Sequence, residues 1–213
     1  KTEDRAFLRM AARRTWRFFE TFVGPADHYL PPDNYQEHPT AAVAHRTSPT
    51  NMGLSLLANL AAHDFGYISA RQLVDRTSKT FATMGKLDRH RGHFYNWYDT
   101  RTLSPLPPLY VSSVDSGNLG GHLLTLSPGL LELADMKIVP LRTFEGLTDT
   151  LRVLLDVARG QFVQPEGPPP TTTPPETVIR LERLEEELQV PPRTLAASQI
   201  YLERLATAGA DLA

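Results

Sequence analysis

Asn51-Met52-Gly53-Leu54-Ser55-Leu56-Leu57 returns in outline as Asn118-Leu119-Gly120-Gly121-His122-Leu123-Leu124, so that Asn-apolar-Gly-x-x-Leu-Leu is used twice, 67 residues apart (118 − 51). Each copy follows a short polar run, Arg46-Thr47-Ser48-Pro49-Thr50 before the first and Ser112-Ser113-Val114-Asp115-Ser116-Gly117 before the second. Such runs begin helices. Ser48 followed by Pro49 fits an N-cap with proline at the first helical position, where its missing N–H costs nothing. Asp115 or Ser116 is expected to cap the second helix. A glycine in the first turns of a helix costs about 1 kcal/mol, which points to close approach by a neighbour or a ligand at Gly53 and Gly120.

Working outward, residues 3–22 carry Phe7, Leu8, Ala11, Ala12, Thr15, Phe18, Phe19 and Phe22 at three- and four-residue steps and read as a helix stopped by Gly24-Pro25. A polar loop over 26–47 is too rich in aromatic and carboxylate groups for a passive connection. A helix over 49–64 ends near Gly66, and the next runs from Ser69, with Gln72 completing a capping box, to about Gly85. Gly92 to Ser113 is aromatic and proline-rich and predicts a short β-hairpin. The helix from about 116 to 134 is expected to break at Ser127-Pro128-Gly129. Further helices follow over 143–159, 176–189 and 194–208. The last two read as solvated outer helices, with Arg183 and Glu187 spaced as an i,i+4 ion pair.

Alternation of polar-capped and amphipathic helices, with a repeat of about one helix pair, predicts an all-α fold: a partial (α/α)6-type toroid of alternating inner and outer helices with a short β-hairpin between them. The expected division is residues 1–160 as the N-terminal half of such a domain, 161–175 as a Pro/Thr-rich linker and 176–213 as a helical tail.

Composition narrows the function. With 213 residues, 41% of them hydrophobic, the chain can bury a core. A net charge of −2 offers nothing to a phosphate backbone, so nucleic acid is not an expected partner. No run approaches 18 apolar residues and no signal peptide opens the chain, so the piece is expected to have no direct membrane span. Zero cysteines exclude thiol catalysis, thiolate metal sites and disulfides. The start at Lys1 suggests a processed or excised segment. His90 and His93 form no metalloprotease-type motif, and neither a phosphate-binding loop nor a serine-nucleophile elbow occurs. No metal and no cofactor is expected.

Two loop groups carry the densest chemistry: Asp33, Asn34, Arg46, Ser48 and Asn51, and Asn96, Trp97, Tyr98, Asp99, Ser113, Asp115 and Asn118. Carboxylates and amides suit sugar hydroxyls, and an aromatic ring suits the C–H face of a pyranose. The bland readings stand beside this one: Trp97 and Tyr95 as hairpin core, Asp115 as a helix cap. Asp99 and Asp115 are the candidates for a carboxylate pair, with Asp33 and Glu37 next, although nothing in their spacing is diagnostic of glycosidase geometry.

Four runs at these positions carry a resemblance: Leu30-Pro31-Pro32-Asp33-Asn34-Tyr35-Gln36, Arg46 to Leu54, Gly92 to Thr100, and Ser112 to Leu119. In that order they resemble the central glucoamylase-like (cyclisation) region of bacterial cyclic β-1,2-glucan synthases, in its N-terminal half, over about residues 5–160. The resemblance implies a larger enzyme at the cytoplasmic side of the bacterial inner membrane. In such an enzyme this region is a retaining transglycosylase that closes linear β-1,2-glucan into rings. The implied partners are β-1,2-glucan or a related oligosaccharide, the remaining half of the toroid and the other domains. The family's catalytic glutamates lie in a Ser-Glu-Ala-Arg-like helix and a Ser-Glu-Ser-like segment, and neither motif occurs here. The twelve residues are therefore expected to bind substrate, with no catalytic residue among them and the segment inactive alone. The alternative is a non-catalytic helical scaffold of the synthase.

Overall fold

The computed structural model describes residues 2–137, 139–160 and 175–210. The expected Pro/Thr-rich linker lies outside them except for Pro175. The chain is all-α, with short antiparallel strand pairs between helices, and it divides into two compact units. Helix α1 (Thr2–Phe22) gives residues up to Arg14 to the first unit and from Thr15 onward to the second. None of the described helices is long and apolar enough to cross a membrane.

The second unit, residues 15–64 and 68–136, holds every candidate site residue. Helix α2 (Pro49–Asp64) is capped by Ser48, whose Oγ accepts from Asn51 N at 3.2 Å, with Pro49 in the first position. It buries Met52, Gly53, Ser55, Leu56, Asn59, Ala62 and His63, residues on most of its circumference, as a helix enclosed on several sides must. A short connection leads to α3 (Ala70–Met84), which opens with the Ser69–Gln72 capping box. Its buried positions Leu73, Thr77, Thr80 and Met84 recur at helical spacing while the other face is solvated, so α3 is an amphipathic outer helix. Helix α4 (Ser113–Leu131) follows. The core joins Leu30, Met52, Leu56, Met84, Leu87, Tyr98, Leu119 and Leu126.

Helices α2 and α4 run parallel. Asn118 Nδ2 donates to Thr50 Oγ1 at 3.0 Å near their starts. A side chain on Gly53 would collide with the His122 ring one turn further along, and one on Gly129 would collide with Leu60 beyond that. Contacts that climb together from 50/118 through 53/122 to 60/129 put both N-termini at one end, as equivalent halves of a repeat require.

Three features differ from expectation. Helix α4 starts at Ser113, earlier than expected, because Ser112 is the cap: its side chain accepts from Asp115 N, and Asp115 is the third helical residue. It also passes through Pro128 without breaking. The residue four positions back is the highly exposed Leu124, where water can replace the bond that proline cannot give. The aromatic stretch, finally, forms two pairings: strands β4 (Arg89–His90) and β5 (His93–Phe94) make a tight hairpin, and β6 (Tyr98–Asp99) pairs with β3 (Arg46–Thr47). A further pair joins β1 (Tyr35–Gln36) and β2 (Ala42–Val43). The turn Arg91-Gly92 fits the hairpin because both residues have positive φ, at 51° and 88°.

The first unit comprises residues 2–14 and 65–67 and the described residues beyond Met136. Helices α5 (Arg142–Ala158), α6 (Pro175–Leu188) and α7 (Leu195–Ala210) enclose Phe144, Leu151, Leu155, Leu181 and Leu188. The tail is therefore more than solvated helix: Leu181 and Leu188 of α6 bury one face in this core, with Leu184 and Val178 packed against it. Glu187 pairs with Arg204 of α7 instead of the expected Arg183, and Arg152 and Arg159 of α5 reach Glu185 and Glu182 at 2.8 and 2.7 Å.

Candidate functional site

The shared N-terminal end of α2 and α4 gathers both loop groups. The β3–β6 ladder sets Arg46 opposite Asp99 and Thr47 opposite Tyr98, which brings the loop before α2 against the aromatic segment. A buried carboxylate fixes this junction from behind. Asp27, 6% exposed, accepts from Thr100 Oγ1 and lies 2.7 Å from His45 Nδ1, so the residues flanking the ladder are both tied to one oxygen.

Asp33 is the hub of the first group. Its Oδ2 accepts from Arg46 Nη2 at 2.9 Å, Arg46 Nε at 3.2 Å and Asn34 Nδ2 at 3.3 Å, while Oδ1 accepts from Asn51 Nδ2 at 3.2 Å. The Arg46 guanidinium, about half exposed, lies over the Trp97 ring at 4.7 Å. Such a stack is electrostatically favourable because the ring face is negative.

The second group is organised by Asn96, only 5% exposed. In the amide orientation that satisfies every neighbour, its nitrogen donates to Asp115 Oδ2 at 2.9 Å and its oxygen accepts from Tyr110 OH at 2.7 Å and Trp97 Nε1 at 2.9 Å. Asp115 also accepts from Ser112 Oγ at 2.6 Å. Burial pushes its carboxyl upward, but hydrogen bonds from Ser112, Thr50 and Ser48 outweigh that and hold it below the usual carboxylate range. Thr50, Ser112 and Tyr110 were not among the expected site residues. The Ser112-x-x-Asp115 spacing, a variant of the capping box, is the signal that finds Ser112.

Not all twelve residues face outward. Tyr98 is fully buried, and its hydroxyl accepts from Tyr95 N and donates to Asp88 O, both at 2.7 Å; burial pushes its phenol up to about 12. Ser48 is a buried helix cap. Asp99 closes its own turn by accepting from Thr102 N at 2.8 Å and Arg101 N at 2.9 Å, and these backbone bonds, Thr102 first, hold its carboxyl low. Asn34, Ser113 and Asn118 are exposed, and Trp97 is half-buried.

A glycosidase acid needs a carboxyl with a raised pKa. Asp99 and Asp115 are shifted the other way. Among the described residues no group of three or more His, Cys, Asp or Glu side chains could hold a metal.

A pH dependence follows from the depressed Asp115. A carboxyl whose folded pKa lies below the unfolded value of about 3.9 contributes stability that is fully present above that value and lost as pH falls through the depressed one. Asp115→Asn is therefore expected to make unfolding free energy less steep in pH below about 4 than in the parent chain, read from urea melts at several acidic pH values. Equal slopes in the two proteins would contradict this assignment.

No profile of a known protein family matches the chain. Over 148 residues, 69% of the chain, it is 45% identical to the cyclic β-(1,2)-glucan synthase NdvB of Rhizobium meliloti, of which it spans about 5% of the length. Among solved structures it is similar to a Bacteroides fragilis protein provisionally assigned as a glucoamylase, at 18% identity and a TM-score of 0.42, covering 86% of this chain and 35% of that one. That structural likeness is too slight to bear on the site. The sequence identity is another matter: at 45% over more than two thirds of its residues, this chain is similar to one short region of a cyclic β-(1,2)-glucan synthase.

Proposed function

We propose that this chain supplies β-glucan-binding loops to a retaining, ring-closing transglycosylase region of a cyclic β-1,2-glucan synthase, and that alone it binds glucan without cleaving it. The observation that carries this reading is the convergence of the two loop groups, one aromatic and one polar, at a single end of the parallel α2 and α4. The identity to the synthase supports the glucan as ligand. In this reading the second unit, which holds α2, α3 and α4, belongs to the first half of an α/α toroid. The remaining helices of the toroid and the other domains of a membrane-bound synthase complete the enzyme at the cytoplasmic face of the inner membrane.

Retention requires an acid and a nucleophile about 5–5.5 Å apart across one glycosidic bond. The carboxylates here are each engaged by donors of the chain itself: Asp33 by Arg46, Asn34 and Asn51, Asp99 through Oδ1 by two backbone N–H groups, and Asp115 by Ser112 and Asn96. Incubating the purified chain with linear β-1,2-glucan is expected to leave the glucan unchanged by mass spectrometry. Cyclic or shortened products that vanish in Asp99→Asn or Asp115→Asn would overturn this reading in favour of a complete small glycosidase. Loss of glucan binding altogether would favour the scaffold alternative, in which the same polar groups only cap helices and brace the loops.

A further inference from the structure

The twelve site residues divide by what they touch, and the division assigns roles that the sequence does not. Trp97 is held from two directions. Its Nε1–H is consumed by the Asn96 oxygen, and Asn96 is anchored in turn on Asp115. One region of its ring is covered by the Arg46 guanidinium at 4.7 Å. The ring therefore offers a ligand apolar surface and no hydrogen-bonding group of its own. Arg46 is itself pinned: Nε and Nη2 both reach Asp33 Oδ2, and Asp33 Oδ1 is tied to Asn51 on the first turn of α2. Nη1 has no acceptor among the described residues, and the side chain is half exposed.

We propose that Asp33 is a positioning residue: by fixing Arg46 against Trp97 it sets an apolar platform beside a directed N–H donor, a pairing that fits the C–H face and a hydroxyl of an uncharged sugar ring, while Asp33 itself makes no contact with the sugar. This rests on the glucan-binding reading above for the identity of the ligand, and on the geometry alone for the role of Asp33. The chemistry favours a neutral ring over an anionic sugar because the guanidinium charge is already answered by Asp33, leaving one directed donor and no unbalanced cation. The stacked guanidinium also loses less freedom on accepting a ligand than a loose arginine would, which is what preorganisation contributes to affinity.

The test uses the full chain and two independent readouts. Trp16, 4% exposed, is shielded, so acrylamide quenching of tryptophan fluorescence reports mainly Trp97; Trp97→Phe defines the background. Without any ligand, Asp33→Asn and Arg46→Met are each expected to raise the quenching constant about twofold by uncovering the ring, with far-UV circular dichroism unchanged. Calorimetric titration with linear β-1,2-glucan is then expected to show affinity weakened about five- to tenfold in either variant. The double variant should bind within about twofold of Arg46→Met alone, since Asp33 acts through Arg46. Unchanged quenching in Arg46→Met, or fully additive losses in the double variant, would overturn the positioning role. Should Asp33→Asn not fold, Asp33→Glu, which keeps the charge but displaces the carboxylate by one methylene from Arg46, is read in the same way, and unchanged quenching in it would overturn the positioning role. Failure of the unmodified chain to bind glucan while the quenching changes persist would overturn the ligand assignment and leave the positioning role standing.

Discussion

Asp149→Ala is expected to lower unfolding free energy by about 3–5 kcal/mol, the usual cost of removing one partner from a buried ion pair. Asp149 on α5 is 2% exposed and meets Arg9 of α1 through two contacts, Nε to Oδ1 at 3.1 Å and Nη2 to Oδ2 at 2.8 Å. Tyr67 OH lies 3.2 Å from the same Oδ2, and burial, followed by this carboxylate, raises the phenol well above its ordinary value. Without the carboxylate, Arg9 is left with Glu145 at 3.1 Å, the Phe65 carbonyl at 3.2 Å and the Phe65 ring, none of which replaces a buried two-contact ionic partner. Urea denaturation followed by circular dichroism measures the change. A loss below about 1 kcal/mol would mean the pair contributes no more than a surface bridge does. Replacing both partners, Arg9→Met with Asp149→Leu, is expected to cost less than Asp149→Ala alone, because no charge is then stranded.

The second large effect separates the two copies of the repeat. Gly53→Ala is expected to destabilise by about 2–3 kcal/mol, because its Cβ would collide with the ring and Cβ of His122 where α2 and α4 touch, and overpacking at a helix contact costs that much. Gly120→Ala, at the equivalent place in α4, is expected to stabilise by up to about 1 kcal/mol, since nothing lies within 4 Å of the added methyl and alanine is the better helix former. Thermal melts of the two single variants provide the comparison. Equal and same-signed effects would contradict the assignment of Gly53 alone to the helix contact.

The same pair shows what was legible in the sequence. A glycine near a helix start correctly signalled close approach at Gly53, where a neighbouring helix supplies the reason, but the identical local pattern at Gly120 has no such neighbour. Local chemistry was readable where the partner lay within a few residues: the Ser48-Pro49 start, the Ser69–Gln72 box and the periodicity of α1 all depend on near neighbours. It was not readable where the partner was distant. Pairing of Arg46-Thr47 with Tyr98-Asp99 spans the whole of α2 and α3, and no propensity at either strand specifies it. Likewise Tyr98 looked like a ligand contact because it adjoins Trp97, yet alternation along β6 turns it into the core. Pro128 looked like a stop because its cost was judged without knowing that Leu124, opposite the lost bond, is open to solvent.

We propose that the end of α2 and α4 forms a sugar platform around Trp97. Calorimetric titration of the purified chain with linear β-1,2-glucan tests it most directly, with Trp97→Ala beside the parent. Removing an aromatic contact surface is worth about 1–2 kcal/mol, so affinity is expected to fall about five- to thirtyfold in Trp97→Ala with the melting temperature little changed. Equal binding by the two proteins, or heats no larger than dilution for both, would contradict it.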